Sequence, residues 1–303
     1  MLQGHELPFL LRAPRVLSLR RFFELFKLRI GLAIGFAALT GMAVTPGHSL
    51  PPRQIAMLAL AVILAAAAAG AFNQIAERDL DTRMRRTRQR AFVTGQLQAG
   101  PAWFAAIATI GTAGIALAGY ALNSMTAVYT FLGAFTYAVI YTIWLKRRTS
   151  WNIVVGGLAG SFAVLAGGAA VSPWTLEPLT LIFAVVLFLW TPPHFWSLAI
   201  AYRDDYAAAK VPMLPVVVGD ARAARWVLGG AVLLVAASLG PALFGMGKLY
   251  LATASLTGCY LLRTSFLLAR FPSKKTAMAN FHATLLYLTL LLAAAIADAA
   301  LRR

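Results

Sequence analysis

Acidic side chains are rare in this sequence, and most of them fall in two short segments. The chain has ten aspartates and glutamates among 303 residues. The two segments read FNQIAERDLDTRMRRTRQR and AYRDDYAAAKVPMLPVVVGD, and six acids lie in them: Glu77, Asp79, Asp81, Asp204, Asp205 and Asp220. Because basic residues already make these segments hydrophilic, the concentration of acids there indicates a chemical role.

The first segment has the side chains of a magnesium–phosphate site. Asn73, Glu77 and Asp81 are spaced four residues apart, which places them on one face of a helix. Mg²⁺ prefers oxygen ligands and usually takes one or two carboxylates together with water and substrate phosphate. Guanidinium groups, which bind phosphate through paired hydrogen bonds, follow closely at Arg78, Arg83, Arg85, Arg86, Arg88 and Arg90. The pattern favours a pyrophosphate site, with a solvated helix joined by internal salt bridges as the alternative.

The second segment repeats this chemistry on a smaller scale. Asp204, Asp205 and Tyr206 follow the sixth apolar run, and Lys210 comes soon after as a further candidate for binding phosphate. Taken alone, these residues are equally typical of an ordinary loop. Two acidic sites on one membrane face could, however, hold two Mg²⁺ ions on one diphosphate.

Long apolar runs must position both segments. The chain is 60% hydrophobic, and a bilayer core needs about 20 apolar residues per helix. Nine runs qualify, at roughly 30–47, 54–72, 103–121, 125–144, 153–171, 178–198, 224–245, 247–269 and 279–299. Many are rich in glycine and alanine, which lets helices pack closely in lipid. We therefore predict an all-α, polytopic integral membrane protein with about nine transmembrane helices, forming a single domain over residues 1–303.

The basic residues predict the orientation of this bundle. The net charge is +17, but the lysines and arginines alternate between loops instead of forming one patch. They concentrate before the first run and after the second, fourth, sixth and eighth, as the positive-inside rule describes. This distribution argues against a nucleic-acid partner. It predicts a cytoplasmic N-terminal segment (1–29), both acidic segments on the cytoplasmic side, and an external C-terminus.

These residues also carry a family resemblance. The spacing Asn-x-x-x-(Asp/Glu)-x-x-x-Asp after the second span, with a second Asp-containing loop after the sixth, resembles the UbiA-type intramembrane prenyltransferases. Within that superfamily, four strings are similar to the branch whose acceptor is heme: NQIAERDLDTRMRRTRQR, YTIWLKRRTSWNIVVGGLAG, WTPPHFWSLAI and DDYAAAKVPMLPVVVG. The resemblance runs from about residue 25 to the C-terminus. The shorter strings TPPHFW and PMLPVV carry it most specifically.

The resemblance implies a reaction and its partners. A farnesyl group would pass from farnesyl diphosphate to a vinyl group of heme B, giving heme O and pyrophosphate. Mg²⁺ would be the cofactor, and membrane lipid would surround the protein. The resemblance also implies a location in the cell inner membrane and contact there with heme A synthase or terminal oxidase assembly.

The resemblance assigns roles residue by residue. The metal ligands would be Asn73, Glu77, Asp81 and Asp205, and Tyr206 completes the second motif. Phosphate oxygens would be held by Arg86, Arg90, Lys146 and Arg147. The sequence departs from the family pattern at Glu77, where aspartate is usual, and at Leu28 and Ala91, where prolines are expected. The fifth span, with GSFAVLAGGAA, lacks an expected Pro-Pro pair and Trp, which bears on the acceptor more than on the reaction type.

His194 is the candidate residue for the acceptor. It matches the histidine of the family's Pro-His string and follows a proline pair inside the sixth span. Ionisable residues at membrane depth are costly and are commonly functional. A role as heme-iron ligand or proton carrier is one interpretation, and a hydrogen-bonded packing residue is the other. His282, in the ninth span, is a further possible ligand, although packing is favoured there.

Two other functions compete with heme prenylation. One is a UbiA-type enzyme with a different acceptor, such as an aromatic quinone precursor. The other is a membrane transporter with an acidic gate. A transporter is expected to place ionisable residues near the middle of its spans. The predicted spans contain almost no acids, with Asp298 at the end of the ninth, so the sequence disfavours that alternative.

Overall fold

The structure, a computed structural model, describes residues 19–175 and 177–302. The first 18 residues of the predicted N-terminal segment 1–29 therefore lie outside the described residues. Throughout the described part the chain forms helices and connecting turns, without a β-strand. The prediction of an all-α fold is confirmed.

Each of the nine predicted runs corresponds to a helix. Eight helices or continuous helical segments are long and apolar enough to cross a bilayer, and the first run forms a shorter apolar helix of 17 residues. The spans are Leu28–Val44, Pro52–Ala76, Pro101–Ala121, Ser124–Leu145, Asn152–Val171, Pro178–Ala201, Asp220–Phe244, Lys248–Arg270 and Lys274–Leu301. This agreement confirms a multi-pass membrane bundle.

The helices are numbered here in chain order. They are α1 (Leu19–Leu25), α2 (Leu28–Val44), α3 (Pro52–Ala76), α4 (Arg78–Asp81), α5 (Pro101–Ala121), α6 (Ser124–Phe135), α7 (Asn152–Gly156), α8 (Leu158–Val171), α9 (Pro178–Ala201), α10 (Arg203–Ala208), α11 (Leu214–Val218), α12 (Asp220–Leu239), α13 (Lys248–Arg270) and α14 (Lys274–Leu301). A π-helix (Thr136–Leu145) continues α6, and a 3₁₀-helix (Gly240–Phe244) continues α12. Prolines at the first helical position begin α3, α5 and α9, where a missing backbone N–H costs nothing.

Glycines allow α2 and α8 to lie in backbone contact. A Cβ atom on Gly41 would overlap the Val164 carbonyl, and one on Gly167 would overlap the Ala38 carbonyl. Lipid tails are as apolar as the side chains, so close van der Waals packing largely holds such helices together. The expectation that small residues mark tight helix contacts is confirmed at this crossing.

A buried polar cluster joins α9, α13 and α14. The Asn280 side chain accepts hydrogen bonds from Thr264 (2.8 Å) and Ser265 (2.9 Å) and donates one to Ser197 (2.8 Å). The Ser197 hydroxyl in turn donates to the Pro193 carbonyl at 2.6 Å, inside the proline-containing part of α9. Asn280 therefore ties three spans together at the level of the proline pair.

The π-helix fixes which residues of the fourth span face its neighbours. In a π-helix each turn closes through an i→i+5 hydrogen bond, so it contains more residues than an α-helical turn. The Lys146 N–H follows this pattern and donates to the Tyr141 carbonyl at 2.9 Å. Helical periodicity predicts an ordinary α-helix here, so this segment is a departure that the sequence did not indicate.

Candidate active site

The three residues of the first acidic motif lie together at the end of α3. Asn73 is in its last turn, Glu77 forms the junction with the short helix α4, and Asp81 ends α4. Backbone hydrogen bonds from the Glu77 N–H to Asn73 and from the Asp81 N–H to Glu77 preserve the four-residue spacing across the junction. All three residues are buried, each only 2% exposed. The predicted single face is therefore present, and it points into the protein.

Each buried carboxylate of this motif is paired with one basic residue. Lys146 donates to Glu77 Oε2 at 2.6 Å, and Arg90 donates to Asp81 Oδ2 at 2.7 Å. Burial alone would raise the pKa of Glu77, but the charges of Lys146 and Lys27 outweigh it and hold that pKa below its usual range. The Glu77 carboxylate is therefore kept ionised within a buried site.

Arg147 lies at the exposed edge of the cluster. Its guanidinium donates to both carboxylate oxygens of Asp79 at 2.7 Å and to the Ala76 carbonyl at 3.0 Å. The hydrogen bond from Arg147 lowers the pKa of Asp79, despite an opposing effect of partial burial. In this structure Arg147 thus secures the junction between α3 and α4, and its predicted contact with phosphate stays a prediction.

The second acidic segment approaches the first through Arg86. The Arg86 backbone N–H donates to Asp205 Oδ2 at 3.3 Å, and its guanidinium donates to the Tyr206 hydroxyl at 3.4 Å. Arg85 adds a longer ion pair, with 3.9 Å between its Nε and Asp205 Oδ1. Residues about 120 positions apart thus form one site. Lys210, by contrast, has an exposed side chain with no hydrogen bond or ion pair among the described residues.

Sequence reasoning missed a third group of site residues. Lys27 Nζ donates to Asn73 Oδ1 at 2.6 Å and to the Tyr137 hydroxyl at 2.9 Å. The Asn73 amide nitrogen donates to Thr142 Oγ1 at 2.9 Å. In the sequence, Lys27 is one of the basic residues before the first span, and these predict the orientation of the bundle without indicating a site contact. Tyr137 and Thr142 give no signal in the sequence, because their contacts with Lys27 and Asn73 depend on how separate spans pack.

The electrostatics at Lys27 match a site that receives an anion. Burial, reinforced by the charge of Arg90, lowers the pKa of Lys27 to about 7. Lys27, Lys146 and Arg90 act electrostatically on one another and on the carboxylates of Glu77 and Asp81. With a pKa near 7, Lys27 carries only part of a positive charge at neutral pH, and an anion bound beside it would favour its charged form.

The donor set fits Mg²⁺ bound together with phosphate. Within residues 19–175 and 177–302, no three His, Cys, Asp or Glu side chains form a ready-made metal cage. Glu77 Oε1 is nevertheless buried without a hydrogen-bond partner, which is costly unless a ligand satisfies it. A hard cation that takes few protein oxygens and completes its shell from water and phosphate suits this arrangement.

His194 occupies a separate, aromatic environment within α9. Its ring is stacked between Trp190 and Phe281, with centroid distances of 4.2 and 4.4 Å, and Nδ1 is 2.8 Å from the Thr284 hydroxyl. Both ring faces and Nδ1 therefore already have contacts within the protein. Nε2 is the ring atom left to contact a prenyl acceptor. His282 contacts Phe281 edge-on, with ring centroids 5.5 Å apart.

The helical bundle, with paired polar segments at one end, defines a membrane-embedded enzyme of the prenyl-transferring type. The UbiA prenyltransferase family matches residues 34–295, and the chain belongs to that family. Solved structures of similar fold include a digeranylgeranylglyceryl phosphate synthase (TM-score 0.75, 17% identity, 93% of this chain and 98% of that one). A second is a UbiA homolog from Archaeoglobus fulgidus bound to DMAPP and Mg²⁺ (TM-score 0.69, 15% identity, 90% and 98%).

Sequence relatives narrow the family to one kind of enzyme. The chain is 53% identical over 281 residues to protoheme IX farnesyltransferase 2 of Paramagnetospirillum magneticum, covering 93% of this chain and 97% of the relative. It is 47% identical to protoheme IX farnesyltransferase 1 of the same organism, covering 93% and 99%. Protoheme IX farnesyltransferase 1 of Cenarchaeum symbiosum is 40% identical, covering 93% and 96%.

Proposed function

We propose that this protein transfers a farnesyl group from farnesyl diphosphate to a vinyl group of heme B, giving heme O and pyrophosphate. The near full-length identity to protoheme IX farnesyltransferases supports this reaction. The observation that carries it is structural: a buried, charge-paired acidic motif meets a second, half-buried acidic segment at one end of an apolar bundle. Such a site can bind a diphosphate head while its chain extends among the spans.

The residues of the first and second segments would bind the diphosphate. Asn73, Glu77, Asp81 and Asp205 would hold Mg²⁺, which, when bound, neutralises charge on the departing pyrophosphate. Lys146, Arg90 and Arg86 provide preorganised donors beside these acids, and Tyr206 extends the set. Arg147 and Lys210 are further phosphate-binding candidates at the rim. Donors aimed at developing negative charge stabilise the transition state more than the ground state.

Loss of pyrophosphate leaves an allylic cation, which the bundle must protect from bulk water. A vinyl carbon of the heme attacks this cation, and the new carbocation takes up one water and loses one proton. The product therefore carries a hydroxyfarnesylethyl group. His194 Nε2 would act on the macrocycle either as a ligand of the heme iron or as a proton carrier.

Asp298, the acidic residue at the end of the ninth span, has a structural role. Asp298 accepts from the Gly247 N–H at 2.6 Å and pairs with Arg302 at 3.2 Å, so it joins the C-terminal end of α14 to the turn before α13. It has none of the features of a transport site. We therefore favour the enzyme over the transporter.

The expected location is the cell inner membrane, with a cytoplasmic N-terminus and an external C-terminus. We expect contact with heme A synthase or terminal oxidase assembly, because the product leaves in the bilayer. The positive-inside pattern supports this orientation.

Reconstitution tests the function directly. Purified protein in lipid nanodiscs is incubated with farnesyl diphosphate, heme B and Mg²⁺, and the hemes are analysed by mass spectrometry. We expect heme O to form, to stop forming with EDTA, and to reappear with added Mg²⁺. If the protein prenylated an aromatic quinone precursor and did not prenylate heme, the proposed acceptor would be refuted. Full turnover after verified metal removal would refute the metal requirement.

A further inference from the structure

Lys27 occupies an unusual position in the chain. It lies between α1 and α2 with a left-handed backbone (φ 48°), a conformation that non-glycine residues adopt at an energetic cost. This break turns its side chain to Asn73 and Tyr137, while the neighbouring Arg29 is exposed and its side chain has no hydrogen bond or ion pair within the described chain. The surrounding structure therefore holds Lys27 specifically in the site.

The Lys27 ammonium group is bound to an oxygen that a metal ion would need. Asn73 Oδ1 lies 2.6 Å from Lys27 Nζ, and its amide nitrogen is held by Thr142, so the amide cannot simply turn over. The same arrangement recurs at Glu77, where Lys146 binds one oxygen and leaves the other unpartnered. Internal cations thus cover part of each candidate ligand.

We propose that Lys27 is a displaceable counter-cation of the diphosphate site. When Mg²⁺ and diphosphate bind together, the ammonium moves from Asn73 Oδ1 to a phosphate oxygen and exposes the amide oxygen to the metal. Metal alone must compete with the ammonium, whereas metal with diphosphate gives it a new partner. The inference rests on the proposed function, since it assigns a role within that same site.

The distinctive consequence is that loss of Lys27 has opposite effects on the two ligands. Binding of diphosphate weakens because a charged donor is lost. Binding of metal alone strengthens because a competing like charge is removed. A residue that only supports the fold would weaken both.

Binding measurements on Lys27→Met in nanodiscs test this role. Mn²⁺, a paramagnetic substitute for Mg²⁺, is titrated by electron paramagnetic resonance with and without farnesyl thiodiphosphate, an analogue that resists ionisation. We expect analogue binding in the presence of Mn²⁺ to weaken about tenfold or more, and Mn²⁺ binding alone to tighten about fivefold. Arg29→Met is the matched control and is expected to change neither. Lys27→Gln, which retains a donor to Asn73 without the charge, serves if the methionine variant does not fold, and the same weakening of analogue binding is expected.

The outcomes separate the two levels of the proposal. Parallel weakening of both ligands, no change in either, or the same effects in Arg29→Met would overturn the role of Lys27. Failure of the unsubstituted protein to bind the analogue with Mn²⁺ would instead overturn the diphosphate site itself.

Discussion

At the scale of single residues, the buried part of the site consists of two carboxylates that are each paired with one base. Glu77 pairs with Lys146, 69 positions away, and Asp81 pairs with Arg90, nine positions away. The Asn73–Glu77–Asp81 face could be predicted, because helical spacing is a local property. The pairing of Glu77 with Lys146 and the entry of Lys27 could not, because they depend on how separate spans pack.

Asp81→Asn tests the metal-ligand assignment. The change removes a charge and keeps the shape, so heme O formation should fall on the order of a hundredfold or more. Product is quantified by mass spectrometry, and folding is checked by thermal unfolding. Asp79→Asn is the matched control, because Asp79 is an exposed partner of Arg147. An equal loss of heme O formation in both variants would show that the negative charge of the segment matters and that Asp81 is not a specific metal ligand.

The stacked environment of His194 allows a sharper substitution than truncation. His194→Phe keeps an aromatic ring between Trp190 and Phe281 but removes both nitrogens. If Nε2 contacts the heme, the variant should bind heme on the order of tenfold more weakly and shift its Soret band, because a ligating or orienting contact is lost. Calorimetry should show unchanged binding of farnesyl diphosphate. An unaltered heme spectrum and affinity would make His194 a packing residue.

At the scale of helices, all nine spans were predictable to within a few residues, since apolar run length dictates them. The π-helix was not, because the sequence TYAVIYTIWL is as apolar as any α-helical span. Tyr137, Thr142 and Lys146 lie in or directly after this segment and contact Lys27, Asn73 and Glu77 of the site. Apolar composition therefore predicts that a helix spans the membrane here, but it does not predict that part of this helix is a π-helix.

Gly167→Ala tests the contact between α2 and α8. The added methyl group overlaps the Ala38 backbone, which cannot move aside like a flexible side chain. We expect a loss of about 1–3 kcal/mol in the free energy of unfolding, or failure to assemble. Thermal or denaturant unfolding in detergent measures it. Gly229→Ala is the control, since a Cβ there meets open space. Comparable stability of the two variants would contradict backbone contact at this crossing.

At the scale of the whole molecule, the orientation in the membrane follows from charge and can be checked with cysteine labelling. The chain has one cysteine, Cys259, so Cys259→Ser gives a clean background. We expect Arg88→Cys to react with a membrane-impermeant maleimide only after the membrane is opened. His48→Cys, in the loop between α2 and α3, should react in intact cells. The reverse pattern would invert the proposed topology.

The position of the acidic cluster, at the boundary where the spans end, has a consequence for product release. Farnesyl diphosphate is an amphiphile, and the reaction cuts it at the junction between its polar and apolar halves. Pyrophosphate, a polyanion, then dissolves in the aqueous phase, while the farnesylated macrocycle partitions into lipid. The two products therefore leave into different phases, water and lipid. Because they partition apart, they recombine at the site more slowly. Inhibition by each product is accordingly set by its own compartment: by bulk concentration for pyrophosphate, and by surface density in the bilayer for the heme product.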